Sequence, residues 1–324
     1  MKRLAGRIFD FLDRVGFLTL CELLEFRSQR LRILIYHRIA DADTDTALEP
    51  GLISASPAEF AEQMYLLASN YNPVSLNDLI DAQAGRSTLP SKAVLVTFDD
   101  GYEDFAECAW PIMREHNIPA TLFVPTAFPA GQPLGFWWDR LHYALMQSPL
   151  NEVRIEPFGK LTLGDAAQRR SVYKQLRNRV KMLPHKDAMD WLENTINLLG
   201  EVPALNRVLT WQALQSLAED GVSICSHGES HALMTRLSTP ELEDDLQTSL
   251  HSIEHKLAHA AGPRVVAYPA NAFDEKVASL ASRAGYLLGF GGQRGINRIP
   301  SNHPMNLQRL PVLKYSRGLF RAQL

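Results

Sequence analysis

Apolar residues along this chain follow two rhythms. Short unbroken runs at 32–36 (RILIY), 93–98, 120–124 (ATLFV), 222–225, 264–267 and 287–290 read as buried strands. Between them, apolar positions recur with a helical period over 56–70, 76–84, 104–116, 211–219, 239–261 and 274–284. Local signals fix the ends of several helices. Ser56, Pro57 and Glu59 form an N-cap, a first-turn proline and a third-position carboxylate. Thr210 and Thr239 are read as N-caps, the second followed by Pro240. Gly85, Gly221 and Gly285 fall where helices end. Strands alternating with helices predict a parallel α/β sheet, and a βα barrel accommodates most of the chain as one unit.

Two segments depart from this alternation. Residues 135–207 are helical in character and charged, and are expected to be a mainly helical insertion in one parent domain spanning 31–324. Residues 1–30 form a separate N-terminal segment. Within it, 4–26 reads as an amphipathic helix with Ile8, Phe9, Phe11, Leu12, Val15 and Phe17 on one broad face. Such a face suits packing on its own domain or peripheral contact with a membrane surface.

Composition narrows the class. With 324 residues, 46% of them hydrophobic, a large core needs no disulfides. The three cysteines, Cys21, Cys108 and Cys225, are widely spaced and read as reduced thiols. A net charge of -3 gives no electrostatic case for nucleic acid. No stretch is apolar and long enough to span a bilayer, and Asp10, Asp13 and Arg14 interrupt the run a signal peptide needs. Cytoplasmic and inner-membrane-peripheral locations both fit.

The chemistry concentrates after the strands. Asp99 and Asp100 follow the run 93–98 directly, and buried carboxylates must be paired, metal-bound or neutral. His227 and His231 follow the run 222–225, and a spacing of four puts both on one face if the segment is helical. Asp100, His227 and His231 make a ligand set of one carboxylate and two imidazoles, as in a zinc-type hydrolytic site. Asp99 is then free to act as general base. Gly101 permits the sharp turn that brings both aspartates into one site.

Taken with the flanking text, the chain resembles the polysaccharide deacetylases of carbohydrate esterase family 4, the NodB homology domain, over roughly Leu31 to Val312. The carrying motifs are Val96-Thr97-Phe98-Asp99-Asp100-Gly101-Tyr102 and Ser226-His227-Gly228-Glu229-Ser230-His231. Ile35-Tyr36-His37-Arg38-Ile39, the run 118–124 and Ala267-Tyr268-Pro269 support them. The resemblance implies an irregular (β/α)7-type barrel and hydrolysis of acetyl groups, most often N-acetyl groups, on a polysaccharide or glycan precursor. It implies a divalent metal, Zn2+ foremost with Co2+ or Ni2+ possible, held by Asp100, His227 and His231, with Asp99 as base. Ala270 is expected to contribute an oxyanion N–H. Tyr102, Tyr268, His37 and Trp138 are expected to line the substrate site. Arg309 is a candidate to orient Asp99, because Ala267 stands where many members carry an arginine. Asn271 replaces a common glycine. No Leu-x-His motif supplies a general acid, which leaves His303 as the nearest C-terminal candidate. Two other readings stay open from the residues: a catalytically silent glycan-binding relative, and a non-haem iron oxygenase using the same two-histidine, one-carboxylate set.

Overall fold

The computed structural model describes residues 2–14, 29–41, 47–131, 134–313 and 316–324. Among these residues, nine strands form the main sheet. Seven of them carry the architecture, and we number these in chain order: β1 Arg30–Tyr36, β2 Ala93–Phe98, β3 Ala120–Val124, β4 Ser223–Ser226, β5 Val265–Ala267, β6 Leu288–Phe290 and β7 Leu310–Pro311. Their spatial order is β6-β5-β4-β3-β2-β1-β7, and every neighbouring pair is parallel. The short stretch just before β7 also bridges Phe290 at the far edge through Leu307. The sheet is therefore curled like a barrel, with one segment reaching both edges. The two remaining strands are short: Asn72–Pro73 pairs parallel with β2, and Asn297–Arg298 pairs antiparallel with the start of β1.

β1, β2 and β3 are buried on almost every residue, as unbroken apolar runs require when both faces are covered. Helices Pro57–Asn70, Trp211–Glu219 and Thr239–Leu257 pack outside the sheet. The capping box at Ser56 and Glu59 is formed, as is the Thr210 cap. One cap shifts by a residue. Ser238, not Thr239, closes the box with Glu241 at the start of Thr239–Leu257. Both are hydroxyl residues before a proline, and only Ser238 places a carboxylate three positions on.

The segment between β3 and β4 builds a core of its own. Helices Trp137–Gln147, Ala166–Met182 and His185–Leu199 enclose Leu141, Leu145, Leu176, Leu192 and Ile196. An antiparallel hairpin, Glu152–Ile155 with Gly159–Thr162, completes it, an element the helical reading of 135–207 did not anticipate. At the N-terminus, Lys2–Arg14 is helical and packs on Arg317–Gln323, with Asp10 accepting from the Gly318 amide. Ile8 and Phe11 on it are exposed. The expected continuation to residue 26, including Val15 and Phe17, lies outside the described residues, as does Cys21. Cys108 and Cys225 are free thiols. Among the described residues no helix is long and apolar enough to cross a membrane.

Candidate active site

The parallel strands send their C-terminal ends to one side, and the chemistry lies there. Asp99 and Asp100 follow β2, His227 follows β4, and Ala270 lies just past β5. A cavity of about 270 Å3 opens over these ends, lined among others by His37, Asp99, Asp100, His227, His231 and Ala270.

Asp99 is tied to the frame twice. Its amide donates to the Tyr36 carbonyl, and its carboxylate accepts both guanidinium branches of Arg309, at 2.8 and 2.9 Å. Arg309 is fully buried, its Nε donating to the Gly291 carbonyl. Burial alone would raise the Asp99 carboxyl. Arg309 and then His227 outweigh it and hold Asp99 below the ordinary carboxylate range. The bidentate fork also fixes the plane of the carboxylate.

Asp100 faces the histidines. Its Oδ1 is 3.2 Å from His231 Nε2 and 3.5 Å from His227 Nε2, and it is buried without a hydrogen-bond partner. Burial opposes its charge, but the two imidazoles keep its carboxyl well below the ordinary range. One atom from each of Asp100, His227 and His231 falls within 4.8 Å of the others. An orphaned anionic oxygen opposite two imidazole nitrogens fits a divalent cation of the zinc type. His227 Nδ1 meets the Ala267 carbonyl at 2.7 Å, which assigns a proton to that nitrogen, so that in the neutral ring Nε2 keeps its lone pair for a ligand. Burial draws the His231 imidazole below its ordinary value and so favours the neutral, ligating form.

The two histidines converge through a loop and not a helical turn, contrary to the spacing argument. Residues 227–233 have no helical structure. Gly228 has φ +73°, and a Cβ there would stand 2.8 Å from Asp245 Oδ1. The Asp245 carboxylate accepts from the Glu229 and Ser230 amides and from the Ser230 hydroxyl, clamping the loop from the helix below. His231 itself sits at φ +57°. Asp100, Ala270 and Asn271 are left-handed as well, at +73°, +48° and +59°. Four non-glycine residues at positive φ around one cavity store strain of about 1–3 kcal/mol each, a pattern that concentrates at functional sites.

Other expected site residues divide. His37 and Trp138 line the cavity. The Trp138 ring meets His231 edge-on at 4.6 Å and stacks on Phe136 at 4.3 Å, so it is both cavity wall and anchor. Tyr102 is placed differently. It is buried away from the cavity, its hydroxyl donating to Asp139 at 2.7 Å and accepting from the Trp138 indole at 2.9 Å. Tyr268 is likewise buried off the cavity, donating to the Met305 carbonyl. Both support the wall instead of touching its contents, because each hydroxyl finds a partner in the frame. His303 is exposed in a loop and does not line the cavity, so the general-acid role has no placement there.

Sequence reasoning missed two sets of residues. Asp139 is fully buried and accepts from the Glu49 amide and the Tyr102 hydroxyl; burial pushes its carboxyl up to about 7. Tyr173, Arg177 and Lys181, from the Ala166–Met182 helix, reach the cavity as well. Their spacing of four was readable, but nothing distinguished that stripe from a solvated face.

A curled parallel βα sheet with a buried carboxylate and two imidazoles at its strand ends defines a class of barrel proteins with a cation-ready site. Within that class, the sequence matches the polysaccharide deacetylase family over residues 86–154 and 164–289, and the chain belongs to that family. It is similar to the poly-β-1,6-N-acetyl-D-glucosamine N-deacetylase of Escherichia coli (strain K12), with 33% identity over 104 residues. That stretch covers 32% of this chain and 14% of the relative. A Streptococcus pyogenes deacetylase, PplD, solved in complex with acetate, shares the fold with a TM-score of 0.58 at 19% identity, covering 89% of this chain and 94% of that one. A de-N-acetylase from Aggregatibacter actinomycetemcomitans matches with the same TM-score at 21% identity, over 91% of this chain and 100% of that one. The oxygenase reading finds no support in this fold or family.

Proposed function

We propose that the protein is a metal-dependent hydrolase that removes acetyl groups, foremost N-acetyl groups, from a polysaccharide or glycan precursor. The observation that carries this reading is the convergence of Asp100, His227 and His231 within 4.8 Å, beside an Asp99 held by Arg309, on the floor of one cavity. Asp100, His227 and His231 would hold the cation, with Zn2+ favoured by the ligand types and Co2+ or Ni2+ compatible. When bound, such an ion polarises a carbonyl and lowers the pKa of water to about 7.

The protein's own groups supply the rest. Asp99, ionised and fixed in plane, is suited to take the proton from the attacking water. Family likeness at Tyr268-Pro269 supports the Ala270 N–H as a donor to the developing oxyanion, a contribution worth about 2.7–4 kcal/mol for one such donor. Trp138 offers an aromatic wall beside His231, suited to a sugar ring. His37 lines the same cavity. The name of the Escherichia coli relative supports N-acetylglucosamine polymers as first substrates. The test is acetate release from β-1,6- and β-1,4-linked N-acetylglucosamine oligomers, with chelator and after adding Zn2+ or Co2+. Release abolished by chelator and restored by metal is expected. Oligomer binding with no acetate release under any metal would instead support the silent glycan-binding reading.

A further inference from the structure

Behind Trp138 lies a hydrogen-bonded chain whose direction the donor types fix. Trp138, Tyr102 and Asp139 are all buried, Asp139 completely. An indole N–H can only donate, so the Tyr102 oxygen, 2.9 Å from Trp138 Nε1, accepts it. The Tyr102 hydroxyl directs its own proton to Asp139 Oδ2 at 2.7 Å. The other oxygen, Asp139 Oδ1, accepts from the Glu49 amide at 2.7 Å. Two donors thus converge on one carboxylate, and a residue with two acceptor oxygens satisfies both. The chain joins three stretches of sequence: Glu49, the loop after β2 and the helix Trp137–Gln147. Glu49 and Trp138 line the cavity, whereas Tyr102 and Asp139 stand behind it. Phe136 lies against both rings, 5.2 Å from Tyr102 and stacked at 4.3 Å on Trp138. On Tyr102 the Arg38 guanidinium lies 5.3 Å from the ring centre.

We propose that Asp139 is a positioning residue for glycan binding: through Tyr102 it holds the Trp138 indole at one angle beside His231, and through the Glu49 amide it ties a second part of the cavity lining to the same point. The inference deepens the deacetylase reading and rests on it for the identity of the sugar; the chain itself is argued from geometry. Stacking on Phe136 sets the plane of the indole, and the bond at Nε1 sets its rotation within that plane. The ring planes of Trp138 and His231 therefore keep their 62° angle, with centres 4.6 Å apart. A platform ordered in advance places the cost of that order on folding and not on binding.

The experiment compares the zinc-loaded full chain with Tyr102→Phe, Asp139→Asn, Trp138→Phe and the double variant Tyr102→Phe with Trp138→Phe. It is run at pH 8, above the value of about 7 to which burial pushes the Asp139 carboxyl. The first readout is the indole N–H resonance that Trp138→Phe deletes from the spectrum of nitrogen-labelled protein; Tyr102→Phe and Asp139→Asn should both shift it. The second is affinity for an N-acetylglucosamine oligomer, read as KM where acetate is released and as a calorimetric Kd where it is not. Tyr102→Phe should weaken it about five-fold while kcat stays within about two-fold, the pattern of lost ground-state binding. On the Trp138→Phe background the same change should cost less than about two-fold, because no indole N–H remains to be held. Tyr102→Phe keeps the ring and carries the test if Asp139→Asn does not fold. An unmoved resonance, unchanged affinity in Tyr102→Phe, a penalty repeated in full on the Trp138→Phe background, or a parent that binds no oligomer would overturn the proposal. Binding that follows the predicted pattern without acetate release from any glycan removes the deacetylase reading alone.

Discussion

Replacing Arg309 by leucine tests whether Asp99, the proposed base, is held as the geometry states. Asp99 is 4% exposed and Arg309 fully buried, joined by two hydrogen bonds of 2.8 and 2.9 Å. Leucine removes the cation and leaves a carboxylate with little water and one imidazole, His227, at 3.9 Å. Breaking a buried pair from one side costs about 3–5 kcal/mol, because the surviving charge is uncompensated. Asp99→Asn alone also destabilises, since it strands the guanidinium. The double variant strands neither, so its cost should fall short of the sum by about 2 kcal/mol or more. Urea unfolding of the four proteins at pH 8 measures this. Deacetylation by Arg309→Leu should fall steeply as well, and Arg309→Lys should not restore it, because an ammonium cannot reproduce the planar fork. A cost for Arg309→Leu below about 1 kcal/mol, or additivity within about 0.5 kcal/mol, would refute the reasoning.

Two further outcomes follow from the frame around the site. The Asp139 carboxyl lies at about 7 in the fold against 3.8 as an isolated group, chiefly through burial. The folded state thus binds the proton more tightly, and stability falls as pH rises from about 4 to 7, by about 4 kcal/mol at 1.36 kcal/mol per unit. Asp139→Asn keeps one oxygen as acceptor for the Glu49 amide, places an amide donor toward the Tyr102 hydroxyl, and removes the titration, so it should flatten that decline relative to the parent; an unchanged slope in urea midpoints across this range would contradict the assignment. Gly228→Ala should destabilise by about 1–3 kcal/mol and weaken metal binding, since φ is +73° and the new Cβ meets Asp245 Oδ1 at 2.8 Å. Thermal unfolding and zinc titration read both effects, and parental values in both would count against the clamp.

The barrel was legible because its strands are unbroken apolar runs, which only a sheet covered on both faces explains. The aspartates and histidines that line the cavity were legible because each pair begins directly after such a run. The route by which His227 and His231 meet was not. A spacing of four fits a helical turn and a glycine-hinged loop equally, and the choice is made by Asp245, a residue on another element. Arg309 could be singled out only through family likeness, because its pairing with Asp99 spans 210 positions. Tyr102 is placed by a related constraint. It adjoins the motif, but Asp100 and Gly101, both at φ +73°, turn the chain so that the tyrosine points into the support behind the cavity. That Arg177 and Lys181 reach the cavity was hidden because charge on a helix reads as solvent-facing until its neighbours are known.

Metal content after exhaustive dialysis against zinc bears on the central claim most directly. Elemental analysis should give one zinc per chain in the parent and in Asp99→Asn, and close to none in Asp100→Asn and His231→Ala. Retention of zinc by the Asp100 and His231 variants, or its loss from Asp99→Asn alone, would contradict the division of labour between the two aspartates.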